Sequence, residues 1–184
     1  MTVDLTSTPN ISAYRPDSVL HKLHVRLRDS DTGSYLGGGQ EGRVWLTYDG
    51  TNQNAIQVFT NSSGFLKYDF DPTCPAYSAG AQIWKGGLLD NPAGCYKPAN
   101  SSLFAYNITA PLTASVVTPD NQKFMQGDAI SLRGYLVDEC STPVTGAGTS
   151  NFTAQSGEVS FEFCTTVSNE ANGYYNCNIT NGSS

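Results

Sequence analysis

Residues 22–50, KLHVRLRDSDTGSYLGGGQEGRVWLTYDG, decide the fold. Leu23, Val25 and Leu27 alternate with Lys22, His24, Arg26 and Arg28, the two-residue period of a strand with one buried face. A turn rich in Asp, Ser and Gly follows. A second strand then opens at Gly42-Arg43-Val44, with Val44, Leu46 and Tyr48 on its inner face and Trp45 pointing outward. Residues 59–70, FTNSSGFLKYDF, supply a third strand, opened by Gly64 and an aromatic residue.

The same order of signals recurs. Residues 130–164, ISLRGYLVDECSTPVTGAGTSNFTAQSGEVSFEFC, and 168–180, SNEANGYYNCNIT, again read strand, turn, Gly-Glu-Val strand, loop and Gly-aromatic strand, with Val159, Phe161 and Phe163 at the core positions. Short strands with frequent turn signals predict two-sheet antiparallel sandwiches, because a single sheet would leave these aromatics in water. The expected fold class is all-β, in two tandem modules spanning residues 1–110 and 111–184. Module one closes with strands in 77–85 and 103–109, whereas module two, aligned on it, stops before its last two strands. A half-built sandwich exposes an unpaired edge, so the chain is expected to be an excerpt or to be completed by strand exchange with another subunit. The alternating segment Thr2 to Thr6, through Val3 and Leu5, is the candidate donor strand.

In module two the order runs from a strand through Thr118-Pro119 and Gly127-Asp128 to a second strand ending at Asp138. Pro143-Val144-x-Gly146-Ala147 and Gly157-Glu158-Val159-x-Phe161 follow. This order resembles bacterial and archaeal Ig-like repeats of cell-surface adhesins, invasins and S-layer-type proteins, closely over 111–184 and more loosely over module one. The resemblance implies tandem Ig-like antiparallel β-sandwich modules and a structural or adhesive role at a cell surface.

Composition narrows the partners. The 184 residues carry only 14% charged side chains, a net charge of -6 and a pI near 4.7, so the concentrated positive field needed by nucleic acid or an anionic membrane is missing. No apolar run approaches the ~20 residues of a membrane span. The start MTVDLTSTPN has neither the basic residues nor the apolar core of a signal peptide, so an exported chain is expected here as a mature segment.

Seven Asn-x-Ser/Thr sequons, at Asn10, Asn61, Asn100, Asn107, Asn151, Asn178 and Asn181, fall mainly in turns and strand ends. Turn chemistry favours the same residues, but placement outside the apolar runs suits a bulky glycan. Five cysteines, Cys74, Cys95, Cys140, Cys164 and Cys177, form no Cys-x-x-Cys pair and have no His at zinc-ligand spacing. Disulfides are the simplest account: Cys74 with Cys95 across a Pro/Gly-rich loop and Cys164 with Cys177 across a hairpin, leaving Cys140 over or exchanging partners.

Catalytic constellations are poor. His21 and His24, three apart on a strand, face opposite sides and cannot share a metal, and no nucleophile elbow accompanies either. The Gly-rich run LGGGQEG, residues 36–42, lacks Gly-Lys-Ser/Thr and leads into a strand, which suits a hairpin connection rather than a phosphate cradle. Asp29, Asp31 and Gly33 echo the opening of a calcium loop without its remaining ligands, so an Asx turn is the simpler reading; no cofactor is expected, with calcium the one cation the pattern admits. The stripe Lys22, His24, Arg26 and Arg28 is either a solvated face relieved by nearby carboxylates or a contact surface for an acidic partner. Outward Trp45, with Trp84 and Tyr68 as candidate neighbours whose default is core packing, could stack on a sugar or at an interface.

These features point to an extracellular, glycosylated, non-enzymatic subunit of a surface layer or surface filament. Its expected partners are further copies of itself and covalent N-glycans, with no nucleic acid and no membrane span. The alternatives are a carbohydrate- or receptor-binding module, or an accessory module of a secreted hydrolase.

Overall fold

The computed structural model describes residues 2–5, 11–17, 20–90, 96–125, 127–147, 151–156, 159–162, 164 and 166–180. Among these the regular structure is entirely β, and the chain divides into two compact units, Met1–Ala110 and Pro111–Ser184.

Module one contains β1 (Thr2–Leu5), β2 (Ile11–Tyr14), β3 (His21–Arg28), β4 (Glu41–Thr47), β5 (Gln53–Phe59), β6 (Phe65–Phe70), β7 (Gly80–Leu88), β8 (Ala99–Asn100) and β9 (Phe104–Thr109). One sheet has the order β1-β3-β6; the other has the order β2-β9-β7-β4-β5, with β8 beside β7. The opening of the module is split between the sheets: β1 runs antiparallel to β3, whereas β2 runs parallel to β9. Between the sheets, Leu23, Val25, Leu27, Val44, Leu46, Leu66 and Phe70 are wholly buried, and Trp84, Tyr106 and Ile108 are nearly so. The alternation that defined the strands therefore becomes the core directly, each inward side chain trading water for apolar contact.

Glycine sets how close the sheets approach. A Cβ on Gly42 of β4 would stand 2.6 Å from the Leu66 side chain, and one on Gly86 of β7 would stand 2.7 Å from Val25. The Gly-Arg-Val opening of β4 is thus a packing requirement, because any larger residue would push β6 away.

Module two contains β10 (Leu112–Thr118), β11 (Ala129–Asp138), β12 (Thr153–Ser156), β13 (Val159–Glu162), β14 (Ser168–Asn169) and β15 (Tyr174–Thr180). Its larger sheet has the order β10-β11-β15-β14, and among the described residues β12 pairs with β13 in a separate two-stranded sheet. The Asp138 to Ala147 turn is held from both ends. Asp138 accepts the amides of Cys140 and Thr142, while the Tyr175 hydroxyl donates to Val144 O and accepts the Ala147 amide. Among the described residues the buried apolar side chains of this module are Cys164, Tyr175 and Cys177. Val159 and Phe161 lie on β13, and Phe163 lies outside the described residues.

Candidate interaction surfaces

On the outer face of β3, Lys22 and Arg28 are exposed and His24 and Arg26 half-buried, while Leu23, Val25 and Leu27 point inward. The cations do not stand bare beside one another. The Arg26 guanidinium lies 3.2 Å from the centroid of the Tyr35 ring and 4.8 Å from that of Phe65, and its Nε donates to Ser63 O at 2.8 Å. Lys67 Nζ sits 5.3 Å from the same Phe65 ring, His24 meets that ring edge-on at 5.9 Å, and Arg28 Nε donates to Gly33 O at 2.7 Å. Each aromatic face attracts the cation above it and so offsets like-charge repulsion. The result is a positively charged, aromatic-lined plate. In register, Lys22 stands opposite Asp69, so a carboxylate neighbour is also in place.

Trp45 projects half-buried from the outer face of the second sheet, with Lys85 Nζ 5.1 Å from its ring. Phe59 and Ile83 are exposed on the strands flanking β4, and Arg43 pairs with Glu41 at 2.9 Å. Trp84 instead points inward against Phe104, ring centroids 4.9 Å apart, and Tyr68 packs onto the core from the opposite sheet. The three aromatics therefore do not form one platform: strand parity separates Trp45 from Trp84, and sheet membership separates Tyr68 from both.

Five sequon asparagines are described, Asn61, Asn100, Asn107, Asn151 and Asn178, and all five are exposed; Asn10 and Asn181 lie outside the described residues. Asn61 tips the β5–β6 hairpin, where its Oδ1 accepts the amides of Ser63 and Phe65 at 3.0 Å. Asn107 projects from β9 on the sheet face that carries Trp45. Sequons are missing from β3, β10 and β11.

Cys164 and Cys177 are bridged across a sequence separation of 13. Cys74 and Cys140 are also each disulfide-bonded, which fits the alternative in which Cys140 exchanges partners and not the one in which it is left over. Cys95 lies outside the described residues. Within the single chain, Val3 and Leu5, the candidate donor residues, pair in register with Leu27 and Val25 of their own module. Alternation marks that segment as a strand but carries no information on which edge receives it.

The two histidines lie on opposite sides of β3, His21 against the ring of buried Tyr106 and His24 against Phe65. In the DSDTG turn, Asp29 accepts the Asp31 amide at 2.9 Å and the Thr32 hydroxyl at 3.0 Å. These bonds, the Asp31 amide first, hold its carboxyl below the usual carboxylate range and occupy it as an Asx turn. LGGGQEG connects Tyr35 to β4 and is anchored by the Gly39 amide on Thr60 O at 2.8 Å.

One surface has no counterpart in the sequence reading. In module two, Leu112, Ala114 and Val116 of β10, Gly134 and Leu136 of β11, and Phe152 border a groove of about 430 Å³. Leu112 is 54% and Val116 72% exposed, and β10 ends its sheet. The legible signal was LTASVVT itself, a β-branched strand without charge or proline between Pro111 and Pro119.

No protein-family model and no curated protein matches the chain. Among solved structures, a tetra-tandem repeat from the extending region of a large adhesion protein is similar with a TM-score of 0.44 and 13% identity, over 91% of this chain and 39% of that one. The chain thus spans well under half the length of that neighbour. No described helix is long and apolar enough to cross a membrane.

Proposed function

We propose that this chain is a non-enzymatic, extracellular, N-glycosylated structural subunit of a surface layer or filament, in which β-sandwich modules set spacing and associate with further copies. The observation that carries the reading is the density of sequons, seven in 184 residues, with all five described ones on the surface where an attached glycan must stand. The disulfides support an oxidising compartment, where such bonds persist. Strand exchange is part of this proposal, with β10, the end strand of its sheet, as the acceptor edge. Intact-mass analysis of protein from its natural source, before and after enzymatic deglycosylation, is the test. Heterogeneous glycan mass on several of the five sites is expected, and unmodified asparagine throughout would end the glycoprotein reading.

A second reading, a carbohydrate- or receptor-binding module, draws on outward Trp45 beside exposed Phe59 and Ile83. It expects glycan-array binding that Trp45→Ala removes.

A further inference from the structure

We infer that the open edge of β10 is the acceptor for a second copy of this chain, which docks head to tail through the β1 edge of its module one. The inference rests on the structural-subunit reading and adds which surfaces meet.

The first observation is the edge. Natural sheets blunt their free edges with charges, proline or very short strands, because exposed amides and carbonyls recruit other strands. The opposite end of the same sheet does so: β14 has two residues, Ser168 and Asn169, followed by Glu170. In β10, by contrast, the residues from Leu112 to Val116 are uncharged and proline-free, and the only irregularity is the register shift between Val116 and Thr118 that ends the smooth edge. The second observation is the groove alongside, where Leu112 and Val116 leave apolar surface in water. A strand added to β10 would cover both and complete the hydrogen-bonding ladder, as in β-strand addition.

Charge selects the occupant. Module two holds two Lys/Arg against seven Asp/Glu, whereas module one holds eight against nine, with Lys22, Arg26, Arg28 and Lys67 gathered on one sheet face. Two copies joined β10 to β10 would bring both acidic modules together. Joined head to tail, the acidic module of one meets the basic plate of the next, which steers the encounter and disfavours the two-fold pairing. Among the described residues the free end of the sheet bearing the plate is β1, whose one charge, Asp4, stands opposite Arg26, while the outer side of β6 is bridged through Thr60 and Leu66. Asn151 borders the groove and Asn100 lies on β8 beside β1, so the contact requires both of these asparagines to be free of glycan. Because the two surfaces differ, each added copy presents the same pair again, so the contact can be repeated from copy to copy.

The test uses the full chain in analytical ultracentrifugation and electron microscopy at low and high salt. Three proteins are compared: the unsubstituted chain, Val116→Lys, and the double variant Lys22→Glu/Lys67→Glu. All three positions are on the surface, so folding, checked by near-ultraviolet circular dichroism, is expected to persist. The unsubstituted chain should form concentration-dependent linear oligomers weakened by salt. Val116→Lys should remain monomeric, and the charge reversal should weaken assembly by about ten-fold or more. Assembly unchanged in Val116→Lys would overturn the β10 edge while leaving the structural-subunit reading intact. A closed dimer indifferent to the charge reversal would assign the edge to two-fold pairing. A chain monomeric at all concentrations would also overturn the inference and give the groove to a strand from a different protein, whereas loss of the glycoprotein reading alone would not move any of these readouts.

Discussion

Module one and module two share the order of their opening strands, yet they reach different degrees of closure. In module one, β7 and β9 lie across the inner face of the β1-β3-β6 sheet and contribute Trp84, Leu88, Phe104, Tyr106 and Ile108 to the core. Module two has only β12 and β13 outside its larger sheet among the described residues, and β10 keeps most of its side chains exposed. The repeated strand grammar thus specifies pairing, whereas burial comes from the strands that cover the pairs. A sheet alone buries too little apolar area to offset the entropy of ordering its chain. The modules should consequently fail by different routes.

The largest expected effect is on closure of module one. Trp84 is 1% exposed and stacks on Phe104, so Trp84→Ala should cost about 3–5 kcal/mol through lost burial and the cavity left behind. Denaturant titration followed by amide exchange should show the loss in module one. A cost below about 1 kcal/mol would mean that the sandwich repacks, and that closure by β7 and β9 is less decisive than the comparison holds.

Module two should depend on a covalent link instead. The bridge between Cys164 and Cys177 spans a separation of 13, for which loop-closure entropy corresponds to about 3 kcal/mol. With little buried apolar surface beside it, replacing both cysteines by alanine should remove amide protection from β11 and β15 while module one melts as before. Retention of that protection would show that cover over the β10–β11 face, and not the bridge, holds the module.

Much of this difference was legible in the chain, and the rest was lost for physical reasons. The period-2 pattern of 22–28 fixed which side chains enter the core, since strand parity permits only two faces. The destination of Thr2 to Leu5 was not legible, because every strand offers the same backbone groups to any edge. Nor was the fate of Arg26: sequence separation gives no warning that Tyr35 and Phe65 would close on it. The β10 edge lay open to inspection in LTASVVT, but an uncharged strand becomes informative only when the topology leaves it at the end of a sheet.

The smallest expected effect sharpens the account of the module-one core. Tyr106 is 1% exposed, and its hydroxyl has no hydrogen-bond partner among the described residues. Tyr106→Phe removes a desolvated, unpaired group, so stability at pH 7 should change by less than about 0.5 kcal/mol, and not in the destabilising direction. The alkaline limb distinguishes the variant. Burial, then the charge of Asp71, pushes the phenol above its ordinary range, so the folded chain keeps a proton that the unfolded chain releases near pH 10. The contribution is therefore complete below about pH 10 and is lost as pH rises through the folded-state value. Tyr68, raised chiefly by its own burial, adds to the same limb, so Tyr106→Phe should make the fall shallower without abolishing it. Denaturation midpoints at pH 7 and pH 11 are the measurement. An identical alkaline fall in the variant would mean that water or a protein group reaches the hydroxyl, and that module one is less tightly closed over Tyr106 than its burial implies.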